Sequence, residues 1–150
     1  MEIVVKVATG VDVKMMRKEI GTLKVNQFLK RMKEHKVCII ALIKDKIVYY
    51  RWISFERKNL VPLEDKEAYL FDAYTLPEYR RLGIHTAGSV ECLRVAKEKG
   101  CERVIASASL RNYPAQKTLR KLRFKEAGRV TLIKIPCFNW HCKWIEYNRC

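Results

Sequence analysis

Leu76-Pro77-Glu78-Tyr79-Arg80-Arg81-Leu82-Gly83-Ile84-His85-Thr86 is the stretch on which the reading of this chain turns. An apolar segment ends at Pro77, two arginines follow, a glycine permits close approach to the backbone, and a helical pattern begins. The unpaired N–H groups at a helix start carry partial positive charge and favour a phosphate. A helix ordinarily places an acid in its first turn, but none occurs from Gly83 through Val90. With two arginines just before it, that start is locally unfavourable unless an outside anion occupies the turn. The other reading is a tight turn with solvated arginines, and the spacing alone leaves both open.

Working outward, Ala68 to Leu76 reads as the strand entering this turn, and Ile84 to Lys99 as the helix leaving it, with Gly100 as its stop. Upstream, Ile3 to Ala8 reads as a short strand. A helical stretch starts at Thr9, Gly10 and Asp12 and breaks at Gly21; a second follows through Val25, Phe28, Leu29 and Met32 to about His35. Val37 to Ile43 is apolar on both faces, as an internal strand is, and Lys44-Asp45-Lys46 turns it into a strand from Ile47 to Phe55. Glu56 to Lys66 is a polar loop. Downstream come a strand from Arg103 to Ser109 and a short helix capped by Asn112 with Pro114 in its first turn. Closing strands are predicted from Phe124 to Ile135 and from Asn139 to Tyr147, separated by Pro136, with Trp140 and Trp144 on one face. The order predicts a mixed α/β domain with one twisted sheet.

The chain has 150 residues, which sets an expectation of one domain, 1–150. Hydrophobic residues make up 49%, which excludes wholesale disorder. The longest apolar run, Val37 to Ile43, is too short to span a bilayer, and Glu2 and Lys6 interrupt the start, so a soluble, cytoplasmic protein is expected. Lys and Arg number 31 against 16 Asp and Glu, a net charge of +15. Most of the excess lies in the second half, where only Glu126 and Glu146 are acidic after Arg103. Such a field favours anionic partners: phosphates, nucleic acid or an acidic surface. Of the six cysteines, Cys38 and Cys92 fall in apolar patterns as small hydrophobes. Cys137, His141, Cys142 and Cys150 lack the paired knuckles of a structural zinc site, so no metal is expected.

Two motifs together resemble those of the GCN5-related N-acetyltransferase family. The first is Arg80, two residues, Gly83 and Ile84 after Thr75-Leu76-Pro77. The second is Asn112, Ala115, Lys121, Leu122, Arg123 and Phe124. The resemblance extends from about Val37 to Phe124. It implies a mostly antiparallel sheet with splayed central strands flanked by helices, acyl-CoA lying in the opening, and an amine acceptor that attacks the thioester directly. Acetyl-CoA or another acyl-CoA is then the co-substrate. By that resemblance, backbone groups of Ala73, Tyr74 and Thr75 hold the pantetheine arm and acyl carbonyl, and Asn112 lies beside the arm. Arg80 opens the motif, and Arg81, Leu82, Gly83, Ile84, His85 and Thr86 take the pyrophosphate.

Three positions depart from the family pattern. His85 stands where the family has a second Gly or Ala, either donating to a phosphate or pointing away. Arg123 replaces the Gly before Phe124, altering the turn or adding to the basic surface. Leu119 falls where many members have the tyrosine that protonates the thiolate, which leaves water, the substrate, or a phenol such as Tyr113 or Tyr74 as proton source. The remaining catalytic candidate is Asp72, the only charge between Ala68 and Leu76. Strict alternation puts it on one face with Leu70 and Tyr74. It is read either as the base that takes the acceptor's proton or as one half of a salt bridge, with Arg51 a possible partner. Glu67 and Ser107 lie near further polar positions, while Tyr49, Tyr50 and Trp52 read as sheet packing. Two other functions stay open: a binding module of this fold engaging nucleic acid or an acidic protein, and a transferase drawing on aminoacyl-tRNA. A homodimer is also open.

Overall fold

The computed structural model describes residues 2–135 and 140–147, with residues 131–147 described by their backbone. The chain runs β1 (Val4–Val7), α1 (Gly10–Met15), α2 (Arg17–Ile20), α3 (Thr22–Lys33), β2 (Val37–Ile43) and β3 (Lys46–Ser54). It continues through β4 (Glu67–Thr75), α4 (Ile84–Glu98), β5 (Arg103–Ala106), α5 (Tyr113–Lys121), β6 (Gly128–Ile135) and β7 (Trp140–Tyr147). The main sheet has the order β1-β2-β3-β4-β5, antiparallel except for the parallel pair β4–β5. This is the expected mixed α/β architecture with helices on both faces.

Local chemistry sets the element ends. Thr9 and Asp12 form a reciprocal capping box at α1, and Gly21 separates α2 from α3 with φ 80°. Lys44 and Asp45 both take left-handed φ (46° and 63°), the two-residue turn whose twist matches a β-hairpin. The apolar run of β2 is then used on both sides. Cys38 and Ile40 face α1 and α3 through Val13, Val25 and Phe28, whereas Ile39 meets Cys92, Val95 and Ala96 of α4. Burial raises the Cys92 thiol to about 12, in keeping with its reading as a small hydrophobe.

Two expectations are corrected. The strand predicted to run to Ser109 stops at Ala106, because its pairing with β4 ends at Leu70↔Ala106 and nothing further along holds it extended. The closing strands do not extend a single sheet. β6 starts at Gly128 and, among the described residues, pairs with β7 in a separate two-stranded ladder. A four-residue β5 is too short an edge to template an eight-residue strand, so the two long strands satisfy one another. The packing of Trp140 and Trp144 and the state of Cys137, His141, Cys142 and Cys150 fall outside the described side chains.

The contact that seats α4 is a glycine. A Cβ on Gly88 would lie 2.1 Å from the Tyr49 ring, so only hydrogen there lets the helix approach β3 this closely. Glycine costs a helix interior about 1 kcal/mol relative to alanine. Packing overrides that preference at Gly88. The substitution Gly88→Ala is therefore expected to destabilise the fold by about 1–3 kcal/mol, as overpacking does. Urea denaturation checks this, and an unchanged midpoint would mean that Tyr49 moves aside freely.

Candidate active site

β4 and β5 exchange hydrogen bonds only from Glu67↔Arg103 to Leu70↔Ala106; beyond that point β4 continues to Thr75 paired with β3 alone. The chains part around a cleft of about 160 Å³ with an apolar floor that includes Leu70, Phe71, Ala73 and Leu119. Its polar lining residues are Arg51, Asp72, His85, Ser107, Ser109 and Asn112. Past Leu70, one edge of β4 therefore has backbone groups that no strand claims, a situation that calls for an outside partner.

At the parting point β4 carries a bulge. Tyr50 pairs with Tyr74 and Trp52 with Phe71, so Asp72 and Ala73 together oppose the single residue Arg51. Asp72 takes the left-handed conformation (φ 44°), which aspartate tolerates better than most residues. The extra residue overturns the expected alternation. Leu70 packs against α4, but Asp72 turns to the opposite face and meets α3, sharing that side with Tyr74. Its ion-pair partner is accordingly Arg31 and not Arg51: Arg31 Nη1 donates to Asp72 Oδ2 at 2.5 Å. The guanidinium of Arg31 lies 5.1–5.3 Å from the ring centres of Phe28, Trp52 and Phe71, which fix it. Lys24 Nζ donates to Tyr50 Oη (2.6 Å), which in turn faces Asp72 Oδ1 at 3.4 Å.

Arg51 instead points at α4. It is 4% exposed. Its Nη1 donates to Ser89 Oγ (2.7 Å) and to His85 Nε2 (3.2 Å), while its buried Nε–H has no hydrogen-bond partner. Because a guanidinium only donates, His85 Nε2 is the acceptor and its ring proton sits on Nδ1. Burial, then the neighbouring guanidinium, lowers His85 to about 4, so it is neutral near pH 7. The ring packs on Tyr49, 5.7 Å between centres. Of the two expectations for His85, it points inward, away from the arginine turn.

The turn itself begins with a 3-10 segment, Pro77–Tyr79, and passes through Arg81 (φ 65°) and Gly83 (φ 76°) into α4. Gly83 is the N-cap, offers no side-chain cap, and faces open space. The first helix bond is donated by Ala87, to Gly83 O at 3.0 Å, which leaves the amides of Ile84, His85 and Thr86 without helix partners. Arg80 bends back, donating from Nε to Thr75 O (3.1 Å) with its guanidinium over the Tyr74 ring. His85 links the two: its backbone belongs to this turn and its side chain lines the cleft.

The remaining expected residues separate. Asn112 caps α5, its Oδ1 accepting from Ala115 N at 3.2 Å, and also reaches the cleft. Leu119 lines the cleft, whereas Tyr74 and Tyr113 do not; Tyr113 is 73% exposed and Tyr74 stacks on Tyr50. Glu67 is a strut, accepting from Arg103 and from Glu64 N. Ser107 bonds Tyr69 Oη at 2.6 Å across the base of the opening. Arg123 holds the helix-ending left-handed conformation (φ 62°) with its side chain exposed, so the turn survives without glycine. Arg31, Ser89 and Lys24 are site residues that the sequence reading missed. Arg51 had a signal, as the only charge between Ile47 and Phe55. Among the described residues no cluster of three or more His, Cys, Asp or Glu is gathered that would hold a metal. No helix among them is long and apolar enough to cross a membrane.

The fold is thus an open sheet whose parallel pair parts beside an uncapped helix N-terminus. The chain belongs to the acetyltransferase (GNAT) family, whose profile matches residues 14–124, and is thus an N-acetyltransferase by membership. No curated protein matches it as a relative. Among solved structures it is similar to aminoglycoside N-acetyltransferase AAC(6')-Iy in complex with a bisubstrate analogue of CoA: TM-score 0.76, 16% identity, covering 91% of this chain and 100% of that one. It also resembles the aminoglycoside 6'-N-acetyltransferase AAC(6')-Ih of Acinetobacter baumannii (TM-score 0.67, 19% identity, 89% and 98% covered). A third is a transcriptional regulator of Bacillus halodurans (0.72, 18%, 89% and 100%).

A lowered His85 means that the unfolded chain binds a proton the folded chain refuses. Stability contributed by this group is present above the ordinary value of 6.5 and is lost as pH falls toward about 4. His85→Gln, which keeps an acceptor without that titration, is expected to flatten the acid slope of denaturation midpoint against pH. Superimposable slopes for the two proteins would count against the buried, neutral ring.

Proposed function

We propose that the chain transfers an acetyl, or other acyl, group from acyl-CoA to an amine by direct attack within a ternary complex. The observation that carries this reading is that the cleft and the uncapped turn at Gly83 meet at His85, which offers an elongated anionic thioester a partly apolar slot at one end and open amides at the other. The pyrophosphate is assigned to the turn from Arg81 to Thr86, where N–H groups and the helix dipole favour anions. The pantetheine arm is assigned to the edge of β4 that no strand pairs, at Ala73, Tyr74 and Thr75, with Asn112 opposite and Arg80, bonded to Thr75 O, closing the turn. Aligning the thioester along a strand edge lowers the barrier by positioning, and an edge N–H aimed at the carbonyl stabilises the developing oxyanion.

Asp72 is assigned to the acceptor amine. Asp72 lines the cleft with its carboxylate held by Arg31, and its remaining lone pairs take the amine's proton directly or through water. The acceptor is inferred to be an amine of low positive charge. Aminoglycosides, on which the similar enzymes above act by their names, are polycations, and a chain of +15 repels such molecules. Nucleic acid binding and dimerisation are not needed for this chemistry.

The direct test is thiol release from acetyl-CoA across a panel of amines, amino sugars, polyamines and peptides. Turnover is expected, greatest with weakly charged acceptors; no release with any of them refutes the assignment. Gly83→Glu, which puts a carboxylate into the turn, is expected to abolish CoA binding by calorimetry, while Gly83→Ala, sharing the backbone strain of about 1–2 kcal/mol, keeps it. Equal affinities of the two variants would move the pyrophosphate elsewhere. Asp72→Asn is expected to lower kcat by roughly 100-fold with KM for acetyl-CoA little changed. A normal kcat at every pH removes Asp72 from proton transfer.

A further inference from the structure

Arg51 is the feature that folding alone does not explain. A guanidinium buried in a sheet is expensive unless an opposite charge accompanies it. Here two neutral acceptors, Ser89 Oγ and His85 Nε2, locate the group, and Ser89 is itself oriented by donating to His85 O at 2.7 Å. Neither neutralises it. Among the described residues no carboxylate pairs with Arg51, because the bulge has turned Asp72 to the other face and onto Arg31. The groups facing it are His85 and Cys92 from α4, Tyr49 on its own strand and Tyr69 from β4, all held in their neutral forms near pH 7 by burial. The result is a fixed positive charge, held by neutral groups alone, on a residue that lines the cleft.

The reaction creates a matching negative charge. When an amine nitrogen bonds to the thioester carbon, the C–S bond breaks with its electron pair on sulfur, and that sulfur needs a proton or a cation. No tyrosine is among the residues that line the cleft, and the Tyr69 phenol at its base is bonded to Ser107. Asp72 is an ion-paired acceptor, His85 Nε2 already accepts from Arg51, and Ser107 is engaged with Tyr69. We propose that Arg51 is a catalytic residue that stabilises the sulfur of coenzyme A as it departs as thiolate. The inference rests on the acyl-CoA reading above. In full balance, the ammonium proton of the tetrahedral adduct passes to Asp72 or to water, the amide forms, and coenzyme A leaves as an anion. It takes a proton from solvent after release. A permanent cation suits this role because it needs no proton of its own and is already in place before the charge appears.

The test uses the whole chain with free coenzyme A, following thiolate absorbance in the ultraviolet as pH is raised. Thiol ionisation in the complex is expected at least about one pH unit below that of free coenzyme A, a tenfold gain in thiolate. Arg51→Met is expected to abolish that shift and lower kcat more than it raises KM for acetyl-CoA, and Arg51→Lys to restore part of both. Should Arg51→Met fail to fold, the unaltered protein suffices. Its affinity for coenzyme A relative to desulfo-coenzyme A is expected to rise between roughly pH 6 and pH 9, across the ordinary thiol range. A bound thiol that titrates as in water, parallel pH curves for the two ligands, or a shift that survives in Arg51→Met overturns the proposal. So does a variant that loses only acyl groups bearing a carboxylate, because Arg51 then reads that carboxylate. Failure of coenzyme A to bind at all overturns the acyl-CoA reading itself, a result distinct from binding with an unshifted thiol.

Discussion

Everything in the site follows from four residue pairs of parallel ladder and their abrupt end. A strand that keeps its partner satisfies both edges; β4 loses β5 after Leu70 yet stays extended for five more residues, because β3 still holds its other side. Backbone donors and acceptors then line an opening in the middle of a folded domain, where such groups are seldom left unmet. The bulge at Asp72 and Ala73 sits at that point and decides which side chains look into the opening.

That one inserted residue also sorts the charges. Asp72 goes to the α3 side, where Arg31 and three aromatic rings receive it, and Arg51 is left on the α4 side with neutral partners. Without the bulge, alternation would have put Asp72 on the face of Leu70, toward α4 and Arg51. The two faces of the sheet thus differ in kind: a compensated ion pair on one, an uncompensated cation on the other. Low dielectric sharpens this contrast, since an unpaired charge away from water interacts strongly with any anion that enters.

Family membership and structural similarity account for the scaffold and for less of the chemistry. At 16–19% identity the solved structures named above share the arrangement of strands and helices. One of them is a transcriptional regulator, so the arrangement by itself does not choose an acceptor. The distinctive features lie in particular side chains of this chain: His85 turned inward at the start of α4, Leu119 on the cleft wall, and Arg51 beneath the bulge.

Much was legible from local order. Apolar periodicity and end signals place β2, α3, α4 and the Asn112 cap within a residue or two, because those elements are determined by nearest neighbours along the chain. The turn at Gly83 was legible for the same reason: a missing acid, two arginines and a glycine lie within a few positions. The early end of β5, the separate β6–β7 ladder, the face of Asp72 and its pairing with Arg31 were not legible. Each depends on register between segments distant in sequence, and a single extra residue in a strand reverses every side chain beyond it. The sequence alone therefore determined most of the elements and the uncapped turn at Gly83; tertiary structure decided which charges are cancelled and which remain, because cancellation requires contact across the sheet.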